Sequence, residues 1–156
     1  MYDHSAGSPF ATIRLFSDDL HPEQISQIMG IEPEAAACKG GGLLKKADGT
    51  RTPARTGTWF LTTQNRVAGA KPEEHLHWLV ELVTTHLDEL RSTIPDLRAD
   101  LSLLVHDREF EPASLPAELL GRAVSLGDLE IEVPERGIDV VLTPRNVAGY
   151  IQRRYA

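Results

Sequence analysis

Two adjacent segments decide the fold: TGTWFLTT at residues 56–63 and PEEHLHWLVELVTTHLDELR at residues 72–91. The first is rich in aromatic and β-branched residues, which predicts a strand with Trp59 and Leu61 on one face and Thr58, Phe60 and Thr62 on the other. The second begins with a proline and two acidic residues, as helices often do. Its apolar residues recur at helical spacing and are Leu76, Leu79, Val80, Val83, Leu87 and Leu90. A strand that leads into a long amphipathic helix predicts a domain of the α+β class.

Shorter segments on both sides extend this pattern. Further strands are expected from alternating or apolar runs at 10–16, near 35–39, and at 99–105, 129–133 and 138–142. Two shorter helices are expected at 22–29 and 116–124, each opened by a proline. The stretch between residues 39 and 55 is rich in glycine, and Asp48-Gly49 is a plausible tip for a loose hairpin.

The two ends of the chain share a layout. Segments 11–33 and 100–133 both run from a strand through an acidic turn to a proline-started helix that ends at glycine. This similarity predicts an α+β fold with a mixed or antiparallel sheet and two to three helices. The fold would be ferredoxin-like, with pseudo-duplicated βαβ halves as one interpretation of the similarity and coincidence as the other.

The length of 156 residues is that of one ordinary domain. We expect a flexible lead-in at 1–9, a single α+β domain at 10–142, and a basic C-terminal tail at 143–156 that forms at most a helical turn. No secretory signal begins the sequence and no apolar run reaches the length of a membrane span. With one cysteine, Cys38, no intramolecular disulfide can form. The expected location is therefore the cytoplasm, without membrane contact.

Charge sets limits on the partners. The formal net charge is −7, which disfavours general nucleic-acid binding because that binding needs basic side chains facing phosphates. One loop opposes this trend, since residues 39–55 hold five basic residues and a single acidic one. Its glycines could present backbone N–H groups to an anion. The candidate anion-binding residues are Lys39, Gly40, Lys45, Lys46, Arg51 and Arg55. The alternative is a solvated loop without a ligand.

Other chemistry-bearing residues have simpler interpretations. Trp59 and Trp78 are candidate interface anchors, with core packing as the alternative. Glu73, His77 and Glu81 lie four residues apart on the long helix, a spacing that can present metal ligands but more simply gives weak helix-stabilising pairs. No HExxH motif or catalytic arrangement is present in the sequence, so neither a metal nor a cofactor is expected.

A family resemblance rests on short motifs in order along the chain. These are Pro22-Glu23, Gly30-Ile31-Glu32-Pro33, Lys39-Gly40, Thr58-Trp59, the Glu-Glu-His-Leu start at 73–76, and the helix at 119–127 with its closing strand. Together they resemble the bacterial domain of unknown function 4279 over about residues 10–133. The chain departs from that family in its longer basic loop at 41–55 and in the extension after Val133. The resemblance implies a small bacterial α+β domain and assigns no catalytic residue.

These observations favour a non-catalytic protein-binding or regulatory module. Toxin immunity is one such role, because an acidic surface complements a basic nuclease. The alternative is a small-anion binder or an enzyme that uses the loop at 39–55. A third and weaker interpretation is nucleic-acid contact through that loop and the tail residues Arg145, Arg153 and Arg154.

Overall fold

The computed structural model describes residues 8–40, 43–45, 51–53 and 55–155. The strands are β1 (Phe10–Ser17), β2 (Ala35–Ala37), β3 (Leu43–Lys45), β4 (Arg51–Pro53), β5 (Gly57–Thr62), β6 (Arg98–Leu104), β7 (Asp128–Val133) and β8 (Gly137–Leu142). The helices are α1 (Pro22–Met29), α2 (Pro72–Thr93), α3 (Ala117–Leu126) and α4 (Val147–Tyr155), with a short 3₁₀ turn at Pro112–Ser114. Most of the lead-in expected at 1–9 and the expected turn at Asp48-Gly49 lie outside the described residues.

Six strands form one sheet in the order β2-β5-β1-β6-β7-β8, and β3 pairs with β4 in a separate antiparallel ribbon. Strands β2 and β5 are antiparallel, β6 and β7 are parallel, and β7 and β8 are antiparallel. The sheet is therefore mixed, which confirms the α+β class and the mixed-sheet prediction.

The finer ferredoxin-like description is not confirmed, and neither is the internal duplication. In a split βαβ arrangement, another strand separates the two strands that a helix connects. Here α3 connects β6 and β7, which are direct neighbours in parallel register. The strand that follows α1 is β2, which lies at the sheet edge with β5 between it and β1. The two similar sequence segments therefore take different places in the sheet.

The prediction of two to three helices was wrong, because the described residues form four. The additional helix is α4, in the segment that the sequence indicated was a polar tail. The Thr143 hydroxyl accepts hydrogen bonds from the Arg145 and Asn146 N–H groups, and so fixes the turn that leads into this helix. Tyr150 is buried, and the Tyr155 hydroxyl donates to the Leu115 carbonyl. The helix carries a short apolar stripe, since Val147, Tyr150 and Ile151 stand at i, i+3 and i+4. The prediction of a polar tail overlooked this stripe because polar and basic residues surround it.

The chain contains two compact units. The first comprises the residues up to 13, 62–81 and 100 onward, and the second comprises 14–61 and 82–99. The single domain expected at 10–142 stays a prediction. No helix among the described residues is both long enough and apolar enough to cross a membrane.

Each unit has a hydrophobic core. Its strands contribute every second residue to this core, and its helices contribute residues three or four positions apart. Fully buried residues of the first unit include Ile13, Leu76, Leu79, Val80, Leu103, Leu120, Leu129, Ile131 and Val133. Those of the second include Leu15, Leu20, Ile25, Trp59, Leu61, Leu90 and Ile94. Of the apolar stripe predicted on α2, every member except Leu87 is buried.

Candidate functional site

The structure describes only part of the predicted anion-binding loop. Lys39 is exposed and forms an ion pair of 3.0 Å with the Asp18 carboxylate. Gly40 adopts a left-handed φ of 71°, which glycine does at little cost. Arg55 is exposed. Lys45 and Arg51 oppose each other in the β3–β4 ribbon, while their side chains and the whole of Lys46 lie outside the described part of the chain. The anion site stays a prediction. Of its candidate residues, Lys39 already pairs with the carboxylate of Asp18.

A pocket of about 370 Å³ lies in the second unit, where both ends of this loop arrive. We call it the loop-base pocket, and its lining consists of Phe16, Ser17, Asp18, Thr56, Asp96 and Arg98. The Ser17 hydroxyl donates to Asp96 at 2.8 Å. With two carboxylates and one guanidinium in its wall, the pocket does not favour an anion. Next to it, a Cβ on Gly57 would come within 2.6 Å of the Ser17 carbonyl oxygen, so only glycine fits there without backbone movement.

The pKa of the Asp18 carboxyl reports on the ion pair between Asp18 and Lys39. Its pKa lies below the ordinary value of 3.8, chiefly because the Lys39 side chain donates a hydrogen bond to it and also because Thr56 does. A lowered pKa in the folded state means that the pair stabilises the fold above the ordinary pKa. This contribution is lost as the pH falls through the folded-state value.

We therefore expect Lys39→Met to raise the pKa of Asp18 toward its ordinary value, because the first cause of the shift is removed. The measurement is an NMR titration of the Asp18 carboxyl carbon between acid and neutral pH. Lys71→Met, which removes an exposed lysine from the first unit, is the control and should leave the Asp18 titration unchanged. An Asp18 titration that is identical in Lys39→Met and the parent protein would contradict the ion pair.

A second pocket, of about 330 Å³, lies between α2 and α3 in the first unit. It is lined by Glu73, Glu74, His77, Pro116, Glu118, Leu119 and Arg122. Glu73 and His77 from the predicted acidic and histidine ladder line this pocket, whereas Glu81 forms an ion pair with Arg122. Within the described ranges, no group of three or more His, Cys, Asp or Glu side chains is arranged to hold a metal ion.

His75, two positions from both Glu73 and His77, has a role that the sequence did not indicate. It is 2% exposed, and its Nδ1 lies 2.6 Å from the Thr63 hydroxyl. Its Nε2 lies 2.7 Å from the Gly69 carbonyl oxygen, which can only accept, so Nε2 carries a proton and donates. The Thr63 hydroxyl also accepts from the Ala11 N–H at 2.9 Å.

A hydroxyl bonded to an imidazole is the arrangement of a nucleophile and its base. Here Thr63 is fully buried and both imidazole nitrogens are occupied, so no substrate can reach the pair. These hydrogen bonds instead connect the first turn of α2 to β1, through Thr63 and Ala11, and to the loop before α2, through Gly69. The sequence signal was a histidine directly before Leu76, the first residue of the apolar stripe.

The two tryptophans take different environments. Trp59 is fully buried, and its indole N–H donates to the Ser26 hydroxyl at 3.0 Å. It occupies the core position that was the alternative to an interface role. Trp78 is half-buried and keeps some surface for contact. Its proposed interface role stays a prediction.

The outer face of β6, β7 and β8, in the first unit, carries unusual surface residues. We define this face by Ser102, Leu104, Glu130, Glu132, Ile138 and Val141, which alternate with the buried residues of the same strands. Ile138 is 57% exposed and Val141 is 44% exposed, and these two are the exposed large hydrophobic residues of the described chain.

A β-bulge places both of these residues on the same side of the sheet. Ile131 opposes Val140 while Glu132 opposes Ile138, so Asp139 is an extra residue in β8. Because alternate strand residues face opposite sides, Ile138 and Val141 would otherwise point in opposite directions. With the bulge, Ile138 lies beside Glu132 and Val141 lies beside Glu130. The sequence predicted the strand, but the bulge shows only in the pairing.

The free edge of β8 is partly capped. The Asn146 side-chain amide donates to the Val141 carbonyl at 2.9 Å. The Arg136 guanidinium donates to the carbonyls of Arg108 and Phe110 and to the Asp139 carboxylate. A bulge and side-chain caps are devices that keep an edge strand from pairing with another chain.

The comparisons with known proteins support the family resemblance that the motifs indicate. A family model described as "Domain of unknown function (DUF4279)" matches residues 6–134. No curated protein matches the chain, and no solved structure does. The matched range ends at the turn after β7, so β8, with its two exposed hydrophobic residues, lies beyond it. Because the match spans most of the sequence, the chain belongs to the DUF4279 family of domains of unknown function.

Proposed function

We propose that this chain is a non-catalytic protein-binding module and that the outer face is its binding surface. The observation that carries the proposal is the exposure of Ile138 and Val141 on one side of β8. Fully burying an aliphatic side chain of this size stabilises a complex by about 1.5–3 kcal/mol, and about half of that remains to be gained here. A bulge that turns both residues outward gives no benefit to the core, which supports a role in binding.

The proposal keeps the cytoplasmic location expected from the sequence. It also includes the narrower possibility of a regulatory role such as toxin immunity, in which an acidic protein covers a basic one. The small-anion alternative depends on residues 39–55. Its described part supports it less, because Lys39 is paired with Asp18 and the adjoining pocket is lined by two carboxylates.

We expect the double substitution Ile138→Thr and Val141→Thr to weaken partner binding by at least about tenfold, since it removes both apolar contacts. Threonine keeps the β-branched shape that strands favour, so the fold should be retained. The partner is first captured by photo-crosslinking in the native host. One experiment places a photoreactive residue at position 141, and a second places it at position 138 and keeps Val141. The crosslinked partner is then purified and its affinity measured for each variant.

Val67→Thr is the matched control, because it makes the same chemical change at a half-buried loop position away from the outer face. It should leave the affinity unchanged. The proposal is wrong if the double variant, shown to be folded by circular dichroism, binds the crosslinked protein as tightly as the parent chain does.

A further inference from the structure

The outer face combines an acidic row with the exposed apolar pair. Asp128, Glu130 and Glu132 are alternate residues of β7, and all three point away from the buried residues of that strand. In the β7–β8 register, Glu130 opposes Val141 and Glu132 opposes Ile138. Each of these glutamates therefore stands directly beside an exposed hydrophobic side chain.

The acidic row is not neutralised from within the described part of the chain. Alternate residues on a strand lie about 6.6 Å apart, close enough for their carboxylates to repel each other. Glu130 and Glu132 are half-buried, and neither forms an ion pair with a described residue. The nearby guanidinium of Arg136 is held by Asp139 and two carbonyl groups. A cationic partner would relieve this repulsion and gain two charge-assisted contacts.

The geometry favours a partner that lies across the face. Addition of a strand at β8 would need its free backbone groups, and the Val141 carbonyl is already occupied by Asn146. Strands are about 4.8 Å apart and a helix is about 10 Å in diameter, so one helix laid on the face covers both β7 and β8. Its apolar side would meet Ile138 and Val141, and its flank would meet Glu130 and Glu132.

We infer, resting on the proposed protein-binding function, that the outer face binds an amphipathic segment of a partner protein with Lys or Arg beside its apolar stripe. Charge complementarity selects this occupant over the others. A second copy of the chain, meeting through the same face in a two-fold dimer, would bring two acidic rows to one interface. A purely apolar segment would bury Glu130 and Glu132 without partners, which is costly.

The test uses a fluorescent helical peptide of about 18 residues, with leucines along one side and lysines elsewhere, and a second peptide with glutamates in place of the lysines. Fluorescence anisotropy measures their affinity for the full chain at about 50 and about 200 mM salt. We expect the lysine peptide to bind and the glutamate peptide not to bind. The double variant Glu130→Gln and Glu132→Gln should weaken binding of the lysine peptide by about tenfold at the lower salt concentration, and less at the higher one.

The matched control is Asp88→Asn with Glu89→Gln, which removes the same number of charges from exposed positions of α2. It should change the affinity by less than about twofold, since exposed charges that do not contact the peptide are screened by salt. The inference is overturned if the lysine peptide does not bind, if the glutamate peptide binds equally well, or if both charge-removing variants weaken binding equally.

The results also separate this inference from the proposed function. If Ile138→Thr with Val141→Thr releases the crosslinked partner while Glu130→Gln with Glu132→Gln does not, the face binds proteins but the basic partner is wrong. If neither double variant affects that partner, the proposed function fails as well. Sedimentation that shows a dimer of the parent chain, and a monomer of Ile138→Thr with Val141→Thr, would identify a second copy as the occupant and overturn the inference.

Discussion

Replacing Trp59 by alanine is expected to lower the free energy of unfolding by about 3–5 kcal/mol, the range found when large buried aromatic residues are truncated. Trp59 has no exposed surface and lies in β5 within the core of the second unit. The substitution removes its packing and leaves the Ser26 hydroxyl without the indole N–H that it accepts from. A cavity of this size cannot close without movement of the strand.

Urea denaturation followed by far-ultraviolet circular dichroism measures this loss. The control is Trp78→Ala, which truncates the other tryptophan at a half-buried position on α2 and should cost less. Ser26→Ala separates the hydrogen bond from the packing, and should cost about 1 kcal/mol. Equal losses for the two tryptophan variants would contradict the core position of Trp59 and restore it as a candidate interface residue.

Thr63→Val is expected to destabilise the fold by about 2–6 kcal/mol, although valine has nearly the same shape as threonine. The Thr63 hydroxyl accepts from the Ala11 N–H and meets His75 Nδ1, and both Thr63 and His75 are buried. The Thr63 hydroxyl accepts from the Ala11 N–H, so its own proton is directed to Nδ1 of His75, while the Gly69 carbonyl accepts from Nε2. Valine would leave a buried donor and a buried acceptor unpaired, at about 1–3 kcal/mol each.

The loss can be located as well as measured. Hydrogen exchange followed by NMR should show faster exchange of the Ala11 amide in Thr63→Val. Thr58→Val makes the same change in β5, where the hydroxyl is half-buried and bonds only weakly to the nearby Thr56 carbonyl at 3.3 Å. It should be nearly neutral. If the two valine variants are equally stable and Ala11 exchanges at the parent rate, the buried network does not exist as described.

Together, these two variants separate residues that maintain the fold from those proposed to bind. Trp59, Thr63 and His75 are buried, so their loss should weaken binding only through unfolding. Ile138 and Val141 are exposed, so their loss should weaken binding while the stability of the chain is retained.

Much of the fold could be predicted because local chemistry determines it. The alternation in 56–63, the apolar stripe of α2 and the glycine that ends α1 are short-range patterns, and the elements lie where those patterns indicate. Gly30, for example, takes the left-handed conformation with φ of 69° that its position after α1 predicts. The family resemblance rested on the same short motifs, and it is confirmed over residues 6–134.

The candidate site could not be predicted in the same way, because it depends on register and on long-range contacts. Nothing in the run Ile138 to Leu142 shows that Asp139 is an extra residue, since a bulge is defined only by the strand that pairs with it. The sequence did not indicate that His75 is buried, because its hydrogen-bond partners, Thr63 and Gly69, lie outside the helix that carries it. The sequence by itself determined most of the elements, their amphipathic faces and the family, although it did not indicate α4. Tertiary structure alone decided which side each β8 residue faces and which polar groups are buried together, because pairing and burial join residues that lie far apart in the chain.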